Sequence, residues 1–150
     1  MNNDAISLLN ELIETSKDGE QGFLKSARDT RTTELTALFT QCAQRCADGA
    51  RELQALVTQL GGDPEKSGST TAALHRGWIN VKEAVSSRDD KAILEEVERG
   101  EDYAKEQYRK ALEQDLPANA MTVVQRQYQG VVANHDKVRA LREKYGGVGR

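Results

Sequence analysis

Three ionisable residues of the chain stand at positions where a helical pattern calls for an apolar side chain. Glu20, Glu101 and His135 each follow an apolar residue by four or seven positions, which is the spacing of one helix face. Burying a carboxylate is costly unless the group is paired or bound to a metal ion. The pattern therefore predicts a polar layer in the core, either a structural pair of Glu101 with His135 or a metal site.

Antiparallel helices joined by short turns would bring these residues to one depth. If the first and second helices form one hairpin, Glu20 falls level with Cys42. If the third and fourth helices form another, Glu101 falls level with His135. Cys46 lies one helical turn from Cys42. The sequence predicts that all five side chains converge in one layer at the middle of a helix bundle.

The two cysteines are expected to be free thiols. Cys42 and Cys46 are one helical turn apart, which is a poor geometry for a mutual disulfide. As ligands beside carboxylate and imidazole groups, thiolates would favour zinc or ferrous iron over magnesium or calcium. The alternative is that both cysteines are small packing residues in the core.

Four long segments carry the periodicity of amphipathic helices, each spanning roughly 26 to 29 residues or about 40 Å. Glycines follow the last periodic residue of the second and fourth segments, as is common at helix ends. We expect the helices to run from about Asp4 to Asp29, Leu35 to Leu60, Asp89 to just before Pro117, and Pro117 to Tyr145.

Helices of matched length predict an all-α, four-helix bundle that forms a single domain over residues 1–150. The stretch Gly61–Arg88 is too long for a tight turn and carries a short extra helix at Leu74–Val85. Such a long crossover between helices 2 and 3 could return along the bundle and make these two helices parallel, as in ferritin-like folds. The competing topology is an up-down-up-down bundle with the short helix folded onto one end.

Charge and hydropathy exclude several classes of partner. The formal net charge is -3 with both signs interspersed, so no basic surface indicates nucleic-acid binding. No apolar stretch approaches the roughly 18 residues of a membrane span, and Met1–Leu9 lacks the features of a signal peptide. We expect a cytoplasmic protein that binds neither nucleic acid nor membranes.

Five segments distributed over nearly the whole chain carry a resemblance to known proteins: Leu53–Val57, Leu60–Pro64, Ala73–Trp78, Asp89–Asp102 and His135–Asp136. They resemble an uncharacterised bacterial family of four-helix-bundle proteins, a domain of unknown function in the ferritin-like superfamily. The resemblance implies a ferritin-like fold and a bacterial source, and it implies no established activity.

Ferritin-like metal proteins take one Glu from each of two helices and a Glu-x-x-His motif from each of the other two. By this resemblance Glu20 and Glu101 match the single glutamates, and His135 stands at the place of a motif histidine. Val132 occupies the place of the matching glutamate, and the second helix has no such motif. The resemblance thus implies an incomplete di-iron ligand set.

Two hypotheses about function follow. The first is a non-enzymatic bundle that acts by self-association, as a homodimer, or by binding a protein partner. The second is a metal-binding protein that holds zinc or iron through Glu20, Glu101 and His135, with or without a thiolate from Cys42 or Cys46, whereas the first needs no cofactor. No nucleophile triad, phosphate-binding loop or Cys-x-x-Cys motif indicates an enzyme class.

Overall fold

The computed structural model describes residues 2–66 and 90–148, and within these ranges it contains four α-helices and no strand. The predicted all-α four-helix bundle is therefore confirmed. The short helix predicted at Leu74–Val85 lies outside the described residues. The helices are α1 (Asn2–Asp29), α2 (Thr33–Gln59), α3 (Asp90–Leu112) and α4 (Ala118–Val148).

The C-terminal end of α2 is closed by the glycine pair that the sequence marks. Gly61 has a φ of 85°, a left-handed conformation that glycine adopts without steric cost. The Gly62 N–H donates to the carbonyl of Val57 and the Gly61 N–H to that of Thr58, at 2.9 and 3.0 Å. These two bonds form a Schellman motif, which satisfies carbonyls that the end of a helix leaves free.

Two helix boundaries differ from the sequence prediction. α3 ends at Leu112, several residues before Pro117, and its 23 residues make it the shortest of the four helices. α4 continues to Val148, so Gly146 and Gly147 lie inside its last turn and do not terminate it. Glycine weakens a helix but does not by itself end one, which explains the second difference.

The direction of each helix follows from polar contacts at the two ends of the bundle. At one end the hydroxyls of Thr30 and Thr32, between α1 and α2, donate to the carboxylate of Asp90 at the start of α3. At the other end Asn10 of α1 exchanges hydrogen bonds with the backbone of Asp63 and Glu65, just after α2. Consequently α2 ends at one end of the bundle and α3 begins at the other, so these two helices are parallel.

The core consists of two apolar clusters separated by a polar layer. One cluster surrounds Phe23 and Phe39, whose ring centroids lie 6.1 Å apart, and the other surrounds Leu12 and Leu53. Buried polar side chains occupy the depth between them: Ser16, Glu101, Asn134 and His135. Among the described helices, none has the length and apolar character needed to cross a membrane.

Candidate functional site

A buried hydrogen-bond chain links three helices in the polar layer. The Asn134 side-chain amide of α4 donates to Oε1 of Glu101 on α3. The Asn134 carbonyl oxygen accepts from the Cys42 thiol of α2 at 3.0 Å. Glu101 is only 4% exposed, and Asn134 and Cys42 are buried as well. The predicted burial of Glu101 is confirmed, and its hydrogen-bond partner is Asn134.

Burial controls the protonation of this layer. Loss of hydration raises the pKa of Glu101 from an ordinary value of 4.5 to about 8, although the Asn134 hydrogen bond and the charge of Arg45 oppose the shift. Burial likewise raises the pKa of Cys42 to about 11, and it raises the pKa of Cys46. Near neutral pH Glu101 is therefore mostly a neutral acid. The two thiols remain protonated and are poor nucleophiles.

His135 lies next to Asn134 but contacts a different set of groups. Its Nε2 contacts the carboxylate of Asp102, and its Nδ1 lies 3.6 Å from Oδ1 of Asp136. The side chain is 6% exposed, and its Nδ1 has no hydrogen-bond partner among the described residues. The predicted burial of His135 is confirmed, whereas the expected pair with Glu101 is replaced by a pair with Asp102.

Three potential metal ligands meet between α3 and α4. One ligand atom each of Glu98, Asp102 and His135 lies within 4.8 Å of the other two, and no other group of three such residues forms in the described ranges. We call these residues the carboxylate–histidine cluster. Glu98 and Asp102 are four residues apart on α3, so they share one helix face. Their side chains are 15% and 61% exposed, which makes the cluster open on the Asp102 side.

The five residues singled out from the sequence do not assemble into one ligand set. Among them only His135 belongs to the carboxylate–histidine cluster. The Glu20 side chain is 28% exposed and lies 4.0 Å from the Lys17 ammonium group at the edge of α1. Cys42 and Cys46 are free thiols, as predicted, and lie with Glu101 in the interior layer.

Glu98 and Asp102 were missed by the sequence analysis. Carboxylates on a helix face are ordinarily solvated, so their type alone carries no signal. The available signal was their four-residue spacing on the helix that pairs with His135. Glu98 also forms an ion pair with Arg142, which lies two helical turns after His135 on α4.

A second feature of the layer is a cleft of about 630 Å³ between α2 and α4, the most loosely packed of the adjacent helix pairs. Glu101, Tyr108 and Ser16 contribute its polar interior groups. The Tyr108 hydroxyl donates to Oε1 of Gln127 at 2.7 Å and lies 3.3 Å from the Ser16 hydroxyl. Most of the surface that lines the cleft is apolar, although charged and amide side chains of α2 and α4 also belong to the lining.

Polar side chains bridge the mouth of this cleft from both helices. Arg45 of α2 donates to the carbonyl of Gly130, and Gln127 of α4 donates to the carbonyl of Gly49, at 3.1 and 3.3 Å. The Gln127 amide also donates to Glu52 at 2.9 Å. These contacts connect α2 to α4 where few apolar side chains meet.

Comparison with protein families matches residues 4–114 to a domain of unknown function, DUF2383. The matched range includes α1, α2 and α3, and therefore Glu98 and Asp102, while Asn134 and His135 lie beyond it. A search of curated proteins finds no match.

Proposed function

Since the chain belongs to the DUF2383 family, which is described without an activity, we propose from the geometry of the site that the protein binds one divalent transition-metal ion at the carboxylate–histidine cluster. The observation that supports this proposal is the approach of an imidazole nitrogen and two carboxylate oxygens within 4.8 Å of one another. His135 is buried, and its Nε2 contacts the carboxylate of Asp102.

The donor set indicates which ions would fit. One imidazole with two carboxylates suits zinc, ferrous iron or manganese better than calcium, which prefers oxygen ligands alone. Three protein ligands leave coordination positions for water, and the exposed side of Asp102 is where water would reach the ion. Metal-bound histidines usually donate their second ring N–H to a carboxylate, and Asp136 lies on that side of His135.

Arg142 competes with a metal ion for Glu98. The guanidinium group forms an ion pair with the Glu98 carboxylate, which has little exposure to solvent. A metal ion would therefore have to replace Arg142 as the partner of Glu98. We infer that Arg142→Gln tightens metal binding, because it removes a cation that occupies one ligand.

Metal titration of chelator-treated protein by calorimetry tests the proposal. We expect zinc or manganese to bind with a stoichiometry of one, and Asp102→Asn or His135→Ala to abolish that binding. Asp115→Asn is the matched control, because Asp115 is an exposed acid in the α3–α4 connection. Equal binding by Asp102→Asn and the wild-type protein would contradict the proposed site, as would an absence of binding by the wild type.

We further propose that the bundle is of the ferritin-like kind, a proposal supported by the parallel direction of α2 and α3. The carboxylate–histidine cluster lies between two helices, so it differs from the four-helix ligand set of ferritin-like iron proteins. Self-association and partner binding stay predictions. Leu24 is the one large hydrophobic residue that is exposed among the described side chains, and it does not form an apolar patch.

A further inference from the structure

The cleft between α2 and α4 has the dimensions of a binding site for a small molecule. Its volume of about 630 Å³ falls within the roughly 300 to 1,000 Å³ typical of ligand pockets. Such pockets combine apolar walls with a few polar groups that orient the ligand. Most of the surface that lines the cleft is apolar, so its interior suits an apolar body, and the charged groups at its mouth determine which polar group would be held there.

The acids that line the cleft are engaged by other groups of the protein. At the mouth, Glu52 is paired with Arg126, and Asp48 is paired with Arg51. Glu101, the third acid of the lining, lies in the interior, where it is 4% exposed and accepts a hydrogen bond from a side-chain amide. Each acid at the mouth is therefore already neutralised by an arginine.

Arg45 lines the same mouth and forms no ion pair with a described residue, Glu101 included. Its Nη1 donates to the carbonyl of Gly130 at 3.1 Å, and that carbonyl is a neutral acceptor. An arginine side chain carries five N–H donors in a planar fork that matches the two oxygens of a carboxylate. The remaining donors of this exposed guanidinium group are available to a ligand.

A second positive charge lies near Arg45, on the opposite helix. Burial raises the pKa of the Cys42 thiol to about 11, and the charges of Arg45 on α2 and Lys137 on α4 oppose that shift. Both cations are therefore close to Cys42. Lys137 is exposed and, like Arg45, has no ion-pair partner in the ranges that the structure describes. Together they give this part of the α2–α4 surface a positive charge that no paired acid cancels.

We propose that the cleft binds an organic carboxylate with an apolar body, and that Arg45 is the counter-ion of the carboxylate. The carboxylate would accept N–H bonds from the guanidinium group at the mouth, and Lys137 would add a weaker attraction over a longer distance. The apolar body would occupy the interior beside Ala104, Val131 and the ring of Phe23. The site is separate from the carboxylate–histidine cluster, because none of the three residues of that cluster lines the cleft.

Three probes of one shape and different charge test this proposal: phenylbutanoate, phenylbutanol and phenylbutylammonium. Their binding would be measured by calorimetry near neutral pH and at low ionic strength, on protein freed of metal by chelator and then desalted, so that the result does not depend on the proposed metal site. Phenylbutanoate should bind about fivefold or more tightly than phenylbutanol, which corresponds to about 1 kcal/mol for an ion pair at an exposed position. Phenylbutylammonium should bind most weakly.

Three variants and one control assign the effect to the cleft. Arg45→Gln should remove the preference for phenylbutanoate and leave the affinity for phenylbutanol unchanged. Ala104→Leu should weaken the binding of all three probes by filling the cleft. Glu101→Gln should retain the preference, because the proposed counter-ion is Arg45. Arg31→Gln is the matched control and should bind as the wild type does, since it removes the same charge at an exposed position outside the lining.

Four results would overturn the proposal. They are equal affinities of the wild type for phenylbutanoate and phenylbutanol, no binding of phenylbutanoate, a preference for the anion that survives Arg45→Gln, and a preference that is lost in Glu101→Gln.

Discussion

Glu101 is hydrogen-bonded to Asn134 in the interior of the bundle, whereas the next residue of α4, His135, contacts Asp102. The two adjacent acids of α3, Glu101 and Asp102, thus contact two adjacent residues of α4. One pair lies in the core and the other at the α3–α4 surface. Because the pKa of Glu101 is raised, we expect the interior pair to make stability depend on pH, whereas the outer pair belongs to the candidate metal site.

Stability should fall as the pH rises because of Glu101. Its pKa is about 8 in the folded protein and near 4.5 when unfolded, so the folded state holds an extra proton between these values. The stabilising contribution is complete below the lower value and is lost as the pH rises toward the upper one. The slope reaches at most about 1.4 kcal/mol per pH unit for a single proton.

The variant Glu101→Gln isolates this contribution from all other titrating groups. We expect the free energy of unfolding of the variant to exceed that of the wild type increasingly between acidic pH and pH near 8, measured by urea denaturation. Glu95→Gln is the control and should follow the wild-type curve. Curves for wild type and Glu101→Gln that remain parallel would show that Glu101 does not titrate with a raised pKa.

Replacing His135 with alanine should cost less stability than it would if His135 were paired with the buried Glu101. Its actual partner, Asp102, is 61% exposed and can be hydrated after the change. We expect a cost of roughly 1 to 3 kcal/mol, mostly from the cavity left by the ring.

Thermal unfolding with metal and with chelator gives a second measurement on His135→Ala. Zinc or manganese should raise the midpoint of the wild type by mass action and leave the variant unchanged. Asp115→Asn should respond as the wild type does. A variant that keeps the full metal-induced shift would remove His135 from the ligand set.

Alanine at Gly61 should destabilise the end of α2. The φ of 85° at this position costs a residue with a Cβ about 1 to 2 kcal/mol. Asparagine visits this conformation more readily, so Gly61→Asn should cost less than Gly61→Ala. A Cβ at Gly61 would have no neighbouring atom within 4 Å, so the cost of alanine comes from the backbone conformation and not from a steric clash. Equal stabilities by urea denaturation would argue against the Schellman motif.

Gly19 is required by the close approach of α1 to Cys46. A Cβ at Gly19 would lie 2.9 Å from the Cys46 sulfur, which is closer than packed atoms allow. Gly19→Ala should therefore destabilise the protein even though alanine favours a helix by about 1 kcal/mol over glycine. In the background of Cys46→Ala the same change should become neutral or stabilising. A double-mutant cycle measures this reversal, and additive effects would exclude the contact.

The sequence was sufficient to predict the bundle and the burial of Glu101 and His135, because both depend on periodicity. It could not predict their partners. A helix turns by about 100° per residue, so the choice between Asn134 and His135 as the neighbour of Glu101 depends on one position in the register. Glu20 shows the same limit, because a seven-residue spacing drifts by about 20° and places this residue at the edge of the stripe.

The carboxylate–histidine cluster lay beyond sequence reasoning for a different reason. Glu98 and Asp102 are acids in a helix whose solvated face is rich in acids, and their four-residue spacing recurs at Asp102 and Glu106, so the spacing alone does not distinguish them. These two acids become candidate metal ligands because His135 lies close to them, and the packing of α3 against α4 determines the position of His135. The cleft was equally inaccessible to prediction, because it results from the spacing between α2 and α4.

The parallel direction of α2 and α3 has a consequence for how the chain folds. Each helical hairpin forms from residues close in sequence, and such local contacts form early and fast. The two hairpins, α1 with α2 and α3 with α4, have no short turn between them because the chain leaves one end of the bundle and resumes at the other. Docking of the two hairpins carries the entropic cost of closing a connecting segment of about thirty residues. We therefore expect the polar layer, which needs side chains from both hairpins, to assemble late in folding.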